Sequence, residues 1–420
     1  MPLYCICLLW TTLLTTNLLF PQLALAEIKH DILPLAQVQS VSKSISPKQA
    51  IARLFTSEQI QTEWFASEFL TQIPIERIRQ VVNSLKSQLG NYVEVENNGQ
   101  DYLVVFSQAS VPTKIVLNNK GQIAGLLFQP PQAKVIDLKA AIAGFQALPG
   151  NVSFLVQEGT AVKAALNTQT PLAVGSAFKL AVLKALQSEI NSGKRMWQDV
   201  VQLEPSQKSL PSGMLQTWPD GAYLTVQTLA ALMISLSDNT ATDILINLLG
   251  REPIEVISPR NRPFLTTREL FILKGSRNRK LLKRYQTSNE AQRRTILKEL
   301  IKKPLPDVRE FEGTNPVALD VEWFFTAEEL CGLMKEVADL PLMSINPGVA
   351  NPNDWRRVAF KGGSEPGVLN LTTWLEAKNG KNYCVAATWN NSNAPVEESK
   401  FMALYSGVIT NLASKVEARD

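Results

Sequence analysis

"AVGSAFKLAVLKAL", Ala173–Leu186, has the spacing of a buried helix with a small-residue start. It also sets Ser176 and Lys179 three apart, on what the pattern predicts as the first turn of that helix. Residues at this spacing share a helix face, so the lysine amine can stand beside the hydroxyl. A helix N-terminus also turns free N–H groups toward developing negative charge. Two readings follow. In one, Ser176 is a nucleophile and Lys179 takes its proton. In the other, the serine packs by its small size and the lysine snorkels. Ser40-Val-Ser-Lys43 has the same form in a stretch of linker composition, so the motif alone does not decide.

The 420 residues are too many for one compact core and fit two or three domains. With 45% hydrophobic and 19% charged residues, the chain reads as globular, and a net charge of +4 does not suggest nucleic acid. Its single histidine, His30, precedes "DILPLAQVQSVSKSISP", which has linker composition. A Ser-His-Asp triad in the folded part is therefore excluded, and any serine chemistry needs another base. No Cys/His cluster has metal-ligand spacing, and neither a metal nor a cofactor is expected. Residues 1–26 carry no charged side chain, and Ala24-Leu25-Ala26 ends them in the small-x-small form of a cleavage site. The expectation is an exported protein, periplasmic or secreted. A retained membrane anchor is the rival, because about 20 apolar residues can cross a bilayer. Cys5 and Cys7 lie in this leader. Cys331 and Cys384 remain; a bridge between them is one reading, and two buried thiols are the plainer one.

After a linker over 27–45, Ser46-Pro47 predicts a helix start. "PKQAIARLF", "TEWFASEFL" and Ile75–Leu89 read as helices. Alternating runs broken by "NNGQ" and "NKGQ" then predict an antiparallel meander ending at "QPPQ". Residues 46–130 are expected to form a small α+β domain. From 134 to 420 the order is helix, two strands, the opening helix, a helical middle, three strands and a last helix. An antiparallel sheet with the terminal helices on one face and a helical lobe on the other fits that order. Between Arg268 and Lys303 stand 12 Lys/Arg and 3 Glu, in two amphipathic helical patterns. A solvated helical pair is the expectation there, with an anionic membrane surface or cell-wall polymer as the alternative contact.

Two further stretches bear on Ser176. "LTVQTLAALMISLSDNTATDILINLLG" is a long apolar run broken at Ser237-Asp238-Asn239, where polar groups are costly unless bonded or facing a cleft. A simple helix cap is the plainer account. "RVAFKGGSEPG" ends a strand at Lys361 and follows it with two glycines, which allow close approach of another backbone or a substrate.

The ordered set Ser176-x-x-Lys179, Ser237-Asp238-Asn239 and Lys361-Gly362-Gly363 resembles the penicillin-recognising serine hydrolases, most of all the class A β-lactamases. The resemblance covers about Lys134 to Asp420. It implies an α/β sandwich of the serine β-lactamase/transpeptidase type, preceded by the small α+β domain. That first domain is similar to small steroid-isomerase-like or cystatin-like modules. The resemblance further implies that Ser176 is acylated, that Lys179 is its base or proton relay, and that Ser237 passes a proton to the leaving nitrogen. Asn239 would bind the substrate amide, Lys361 would hold a carboxylate, and Gly363 would admit substrate along the strand. The N–H groups of Ser176 and Ser364 would form the oxyanion hole. The substrate class implied is a β-lactam or a related acyl compound, with a cell-wall peptide as a further partner. The alternative is a D,D-peptidase, transpeptidase or esterase with slow β-lactam turnover.

Two departures from the family stand out. Gly362 replaces a Thr or Ser whose hydroxyl helps bind carboxylate. The Glu-x-x-Leu-Asn loop that activates the deacylating water is missing: every Leu-Asn pair has Lys114, Lys163 or Pro366 in the glutamate's place. Glu269 and Glu312 are the candidate replacements, each with a surface glutamate as the plainer reading.

Overall fold

The computed structural model describes residues 45–417 apart from Gln108, Pro130, Glu312 and Thr314. The leader, His30, Cys5, Cys7, the Ser40–Lys43 motif and Glu312 lie outside the described residues. Internal contacts divide the chain into two units, between Lys134 and Val135.

In the first unit, helix α1 (Pro47–Thr56) starts where Ser46-Pro47 predicts. The Ser46 hydroxyl accepts from Gln49 N, and the Gln49 side chain accepts from Ser46 N. The run "TEWFASEFL" does not stay helical. Ala66 is extended and its N–H donates to Ile123 O, leaving a short α2 (Ser67–Gln72). Helix α3 (Ile75–Leu89) stops at Gly90. Strands β1 (Tyr92–Asn98), β2 (Asp101–Phe106), β3 (Ala109–Leu117) and β4 (Ile123–Phe128) form the expected meander in that order. A two-residue β5 (Gln132–Ala133) pairs with the start of β3, where the sequence reading ends the domain. Ile51, Leu54, Phe55, Val104, Val111 and Ile123 make the core between helices and sheet.

The second unit begins with α4 (Leu138–Gln146), shorter than its apolar pattern because Asp137 caps it. Strands β6 (Asn151–Glu158), β7 (Ala161–Leu166) and β8 (Leu172–Ala173) lead to α5 (Lys179–Asn191). The hairpin of β9 (Val200–Gln202) and β10 (Tyr223–Thr225) precedes α6 (Val226–Ser235) and α7 (Asn239–Leu249). Helices α8 (Glu252–Ile257), α9 (Thr267–Lys274), α10 (Arg279–Gln286) and α11 (Glu290–Leu300) follow. Next come β11 (Phe324–Phe325) and α12 (Ala327–Val337), then β12 (Arg357–Glu365), β13 (Val368–Glu376), β14 (Asn382–Asn390) and α13 (Glu398–Glu417).

The main sheet has the order β12-β13-β14-β6-β7, antiparallel throughout. The period-two alternation of strands sorts its two faces. Val358, Phe360, Val385 and Trp389 pack with Phe145 of α4 and Phe401 and Tyr405 of α13. Ala359, Cys384, Ala386 and Leu155 face the helical lobe, in one core with Leu183, Leu229, Ile244 and Met334. This is the serine β-lactamase/transpeptidase architecture, with the terminal helices on one face and the lobe on the other. The basic stretch forms α10 and α11, whose Tyr285, Ile296, Leu297 and Leu300 are buried in the lobe core. Cys331 and Cys384, whose plainer reading is two buried thiols, are instead bridged, with Cα atoms 5.8 Å apart. Packing of α12 against β14 brings them within disulfide range, which no chain spacing could reveal.

Candidate active site

Ser176 does not begin the α-helix itself. Gly175–Phe178 form a 3-10 turn, and Lys179 is the first residue of α5. The turn is held from both sides. Val174 N donates to Trp323 O at 3.1 Å, and the Phe178 ring stacks on Trp323 with centroids 3.7 Å apart. Lys179 stays within reach of Ser176 despite the tighter turn, its Nζ 3.2 Å from Ser176 Oγ.

Lys179 is fully buried, and its Nζ also donates to Ser237 O at 2.6 Å, Ser237 Oγ at 3.2 Å and Asn239 Oδ1 at 2.7 Å. A buried ammonium or amine needs such partners to offset its lost hydration. Ser237 sits at φ +54, a conformation a serine adopts at a cost of order 1–3 kcal/mol. That turn brings both its carbonyl and its hydroxyl onto Lys179. Asp238 caps α7 by accepting from Ala241 N, and it also accepts from Met214 N and Leu215 N. The helix-cap reading of "SDN" is thus correct for Asp238, while Ser237 and Asn239 face the lysine. Asn239 is 5% exposed, and one N–H of its amide donates to Leu210 O.

Lys361 enters from the sheet. Its Nζ donates to Ser237 Oγ at 3.1 Å and to the carbonyl of Gly362. Ser176, Lys179, Ser237 and Lys361 therefore stand in one continuous chain of polar contacts. These four come from segments up to 185 positions apart in the sequence.

The strand carrying Lys361 does not stop there. Gly362 and Gly363 keep the ladder with Leu371 and Asn370, and β12 runs on to Glu365. The space left by the missing side chain of Gly363 lies against the Gly175–Phe178 turn. A Cβ there would lie 2.2 Å from Val174 O, 2.5 Å from Ser176 N and 2.7 Å from Ala177 N. Its missing side chain lets the strand press on the turn carrying Ser176. Gly175 answers from the other side, its φ at +49 and the position of a Cβ only 3.1 Å from Ser364 N. The N–H groups of Ser176 and Ser364 are brought together across this contact. Ser364 is exposed and lies on the Gly362 face of the strand, the side of the hydroxyl that Gly362 lacks.

Glu269 is not a surface residue. It is 8% exposed, both its oxygens are held by Arg251 at 2.9 and 2.6 Å, and it closes the capping box of α9 with Thr266. Nearby Asp243 is buried while accepting from Thr267 N, Thr267 Oγ1 and Arg268 N. Burial outweighs those bonds and pushes its carboxyl up to about 7.

One cluster escaped the sequence reading. Lys274 of α9 is buried against Glu322, just before β11, and against Glu365 at the end of β12, at 3.0 and 3.2 Å from the latter's two oxygens. Burial alone would lower the Lys274 ammonium, but the two carboxylates outweigh it and hold it above its usual range. Burial, followed by the charge of Glu365, pushes the Glu322 carboxyl well up. Glu322 Oε2 has no donor within bonding distance. One lysine faces both carboxylates, and burial disfavours the charged form of Glu322.

Residues 136–302, which contain Ser176, Lys179, Ser237 and Asn239, match the model of the family described as "Beta-lactamase enzyme family". That stretch is similar to this family over its matched residues. Lys361 and β12 lie beyond them. Among solved structures, a β-lactamase from Sphaerobacter thermophilus is 20% identical, over 67% of this chain and 99% of that one, with a TM-score of 0.47. PBP-A is 17% identical, over 68% and 98%, with a TM-score of 0.45. A β-lactamase from Francisella tularensis is 15% identical, over 66% and 99%, with a TM-score of 0.46. No curated protein matches the sequence.

Proposed function

We propose that the second unit is a serine hydrolase domain that forms an acyl-enzyme on Ser176 with β-lactams or related acyl and amide compounds. What carries the reading is the position of one atom. Lys179 Nζ lies 3.2 Å from Ser176 Oγ and 3.2 Å from Ser237 Oγ, which in turn is 3.1 Å from Lys361 Nζ. In its uncharged form Lys179 takes the Ser176 proton as Oγ attacks the acyl carbon. Ser237 Oγ hands a proton to the leaving nitrogen and is resupplied from Lys179. The oxyanion meets the N–H groups of Ser176 and Ser364. Lys361 supplies positive charge for a substrate carboxylate, and the second N–H of Asn239 donates to the substrate amide. The domain's disulfide agrees with the exported, oxidising location expected from the leader.

The test is intact-mass spectrometry of the full chain with benzylpenicillin, beside hydrolysis of a chromogenic cephalosporin. The wild type should gain one penicilloyl group, mapped to the Ser176 peptide, and Ser176→Ala none. Hydrolysis by Ser176→Ala at the wild-type rate would refute the assignment. An adduct that outlives the assay would favour the D,D-peptidase or transpeptidase alternative.

A further inference from the structure

The N–H groups of Ser176 and Ser364 belong to two separate segments. Ser176 is on the 3-10 turn Gly175–Phe178, and Ser364 is on the edge strand β12. Their spacing depends on what holds strand and turn together. Before Gly363 the tie is Lys361, whose Nζ donates to Ser237 Oγ. After it stands Glu365, whose two carboxyl oxygens both accept from Lys274 Nζ, at 3.0 and 3.2 Å.

The same amine also reaches behind the turn. Lys274 Nζ donates to Glu322, the residue before Trp323. Trp323 is what holds the turn there: its carbonyl accepts from Val174 N, and its ring stacks on Phe178. Lys274 is therefore bonded to the chain neighbour of Ser364 on the strand and to the chain neighbour of Trp323 behind the turn. The foot of this brace is firmly set. Lys274 is the last residue of α9, whose Leu270 and Leu273 are buried in the lobe core. Its side chain is 3% exposed, that of Glu322 is fully enclosed, and that of Glu365 is 20% exposed. An amine enclosed in this way cannot release a partner to water without loss, so both ties persist. Buried polar clusters add little net stability over packed apolar side chains of the same volume. What this one fixes is a distance.

We infer that Lys274 is a positioning residue: through Glu365 and Glu322 it holds the Ser364 N–H in register with the turn carrying Ser176. This rests on the acyl-serine reading above and on the oxyanion role given there to the two N–H groups. Lys274 acts through these two backbones rather than on the substrate. Its effect falls on the step in which the carbonyl oxygen gains negative charge, not on the binding of the uncharged carbonyl. Without the brace the end of β12 shifts against the turn, and a misplacement of about 1 Å at a reacting centre costs about 10²-fold in rate.

The experiment measures acylation of the full chain by a chromogenic cephalosporin in stopped flow, over a range of concentrations. This separates the rate constant at saturation from the half-saturating concentration. The variants are Lys274→Met, Glu365→Leu and Glu365→Gln, each with a thermal melt. Lys274→Met leaves Glu322 buried without its donor. Where that variant does not fold, Glu365→Leu carries the test, because it cuts only the strand side and keeps the Lys274–Glu322 pair. In Lys274→Met and Glu365→Leu the rate constant at saturation should fall about 10–10²-fold, with the half-saturating concentration within about twofold of the wild type's. Glu365→Gln keeps an oxygen for Lys274 and should restore most of the rate. Wild-type acylation by folded Glu365→Leu, whatever its melting temperature, overturns the inference and leaves Ser176 as the acylated residue. So does a change confined to the half-saturating concentration, or a Glu365→Gln variant as slow as Glu365→Leu. A wild type showing neither adduct nor hydrolysis refutes the acyl-serine reading, and this inference falls with it.

Discussion

Replacing Gly363 with alanine adds a single methyl group to the domain, and the structure says where it must go. Its three nearest neighbours, at 2.2, 2.5 and 2.7 Å, are Val174 O, Ser176 N and Ala177 N. All three are backbone atoms of the segment Val174–Ala177, so no side chain can swing aside. Ordinary contact needs roughly 3.5 Å, so strand and turn must separate by about 1 Å. The N–H groups of Ser176 and Ser364 lie on opposite sides of that seam. A displacement of this size at a reacting centre costs about 10²-fold in rate, and losing an oxyanion donor about 10²–10³-fold. Forcing a methyl into a packed site also costs about 1–3 kcal/mol of stability. Gly363→Ala should therefore lower the second-order rate of Ser176 acylation at least about 10²-fold, with a melting point a few degrees down. Stopped-flow acylation by a chromogenic cephalosporin and a thermal melt measure both. Wild-type acylation with an unchanged melt would show that the contact is not tight and that the account of Gly363 is wrong.

Two further outcomes concern stability. The Cys331–Cys384 bridge closes a loop of 53 residues, so its loss should destabilise the domain by about 2–4 kcal/mol. Melts with and without reductant, or of Cys331→Ala, read this directly, and coincident curves would contradict it. Asp243 has its carboxyl raised to about 7 by burial, so the folded state binds a proton that the unfolded chain has lost. Stability from this group is fullest below about pH 4 and declines as pH rises toward 7. Asp243→Asn should flatten that part of the melting-temperature profile against pH, and a slope identical to the wild type's would sink the assignment.

The chain of polar contacts was legible because its pieces are local. Ser176 and Lys179 are three apart, Ser237 and Asn239 interrupt one apolar run, and Lys361 precedes two glycines. The 3-10 turn at Gly175–Phe178 was not legible, since helix periodicity alone does not separate it from the first turn of α5. The end of β12 was hidden by its own glycines, which read as a strand stop although the ladder continues to Glu365. Gly363 could be read as permitting close approach, but not as to what approaches. Lys274, Glu322 and Glu365 are separated by 48 and 43 positions, each in an unremarked place. Only the packing of α9 beside the end of β12 makes them neighbours.

The bridge from Cys331 to Cys384 makes a covalent ring of everything between them, including all of β12 and β13. Lys361, Gly363, Ser364 and Glu365 belong to that ring; Ser176, Lys179, Ser237 and Asn239 do not. The site is a seam between a closed loop and an open chain, joined by the contact at Gly363 and by the hydrogen bond from Lys361 to Ser237. A protease that cuts once within the ring leaves its ends tethered, so the seam can survive a nick there. A cut between Ser176 and Ser237 has no such tether.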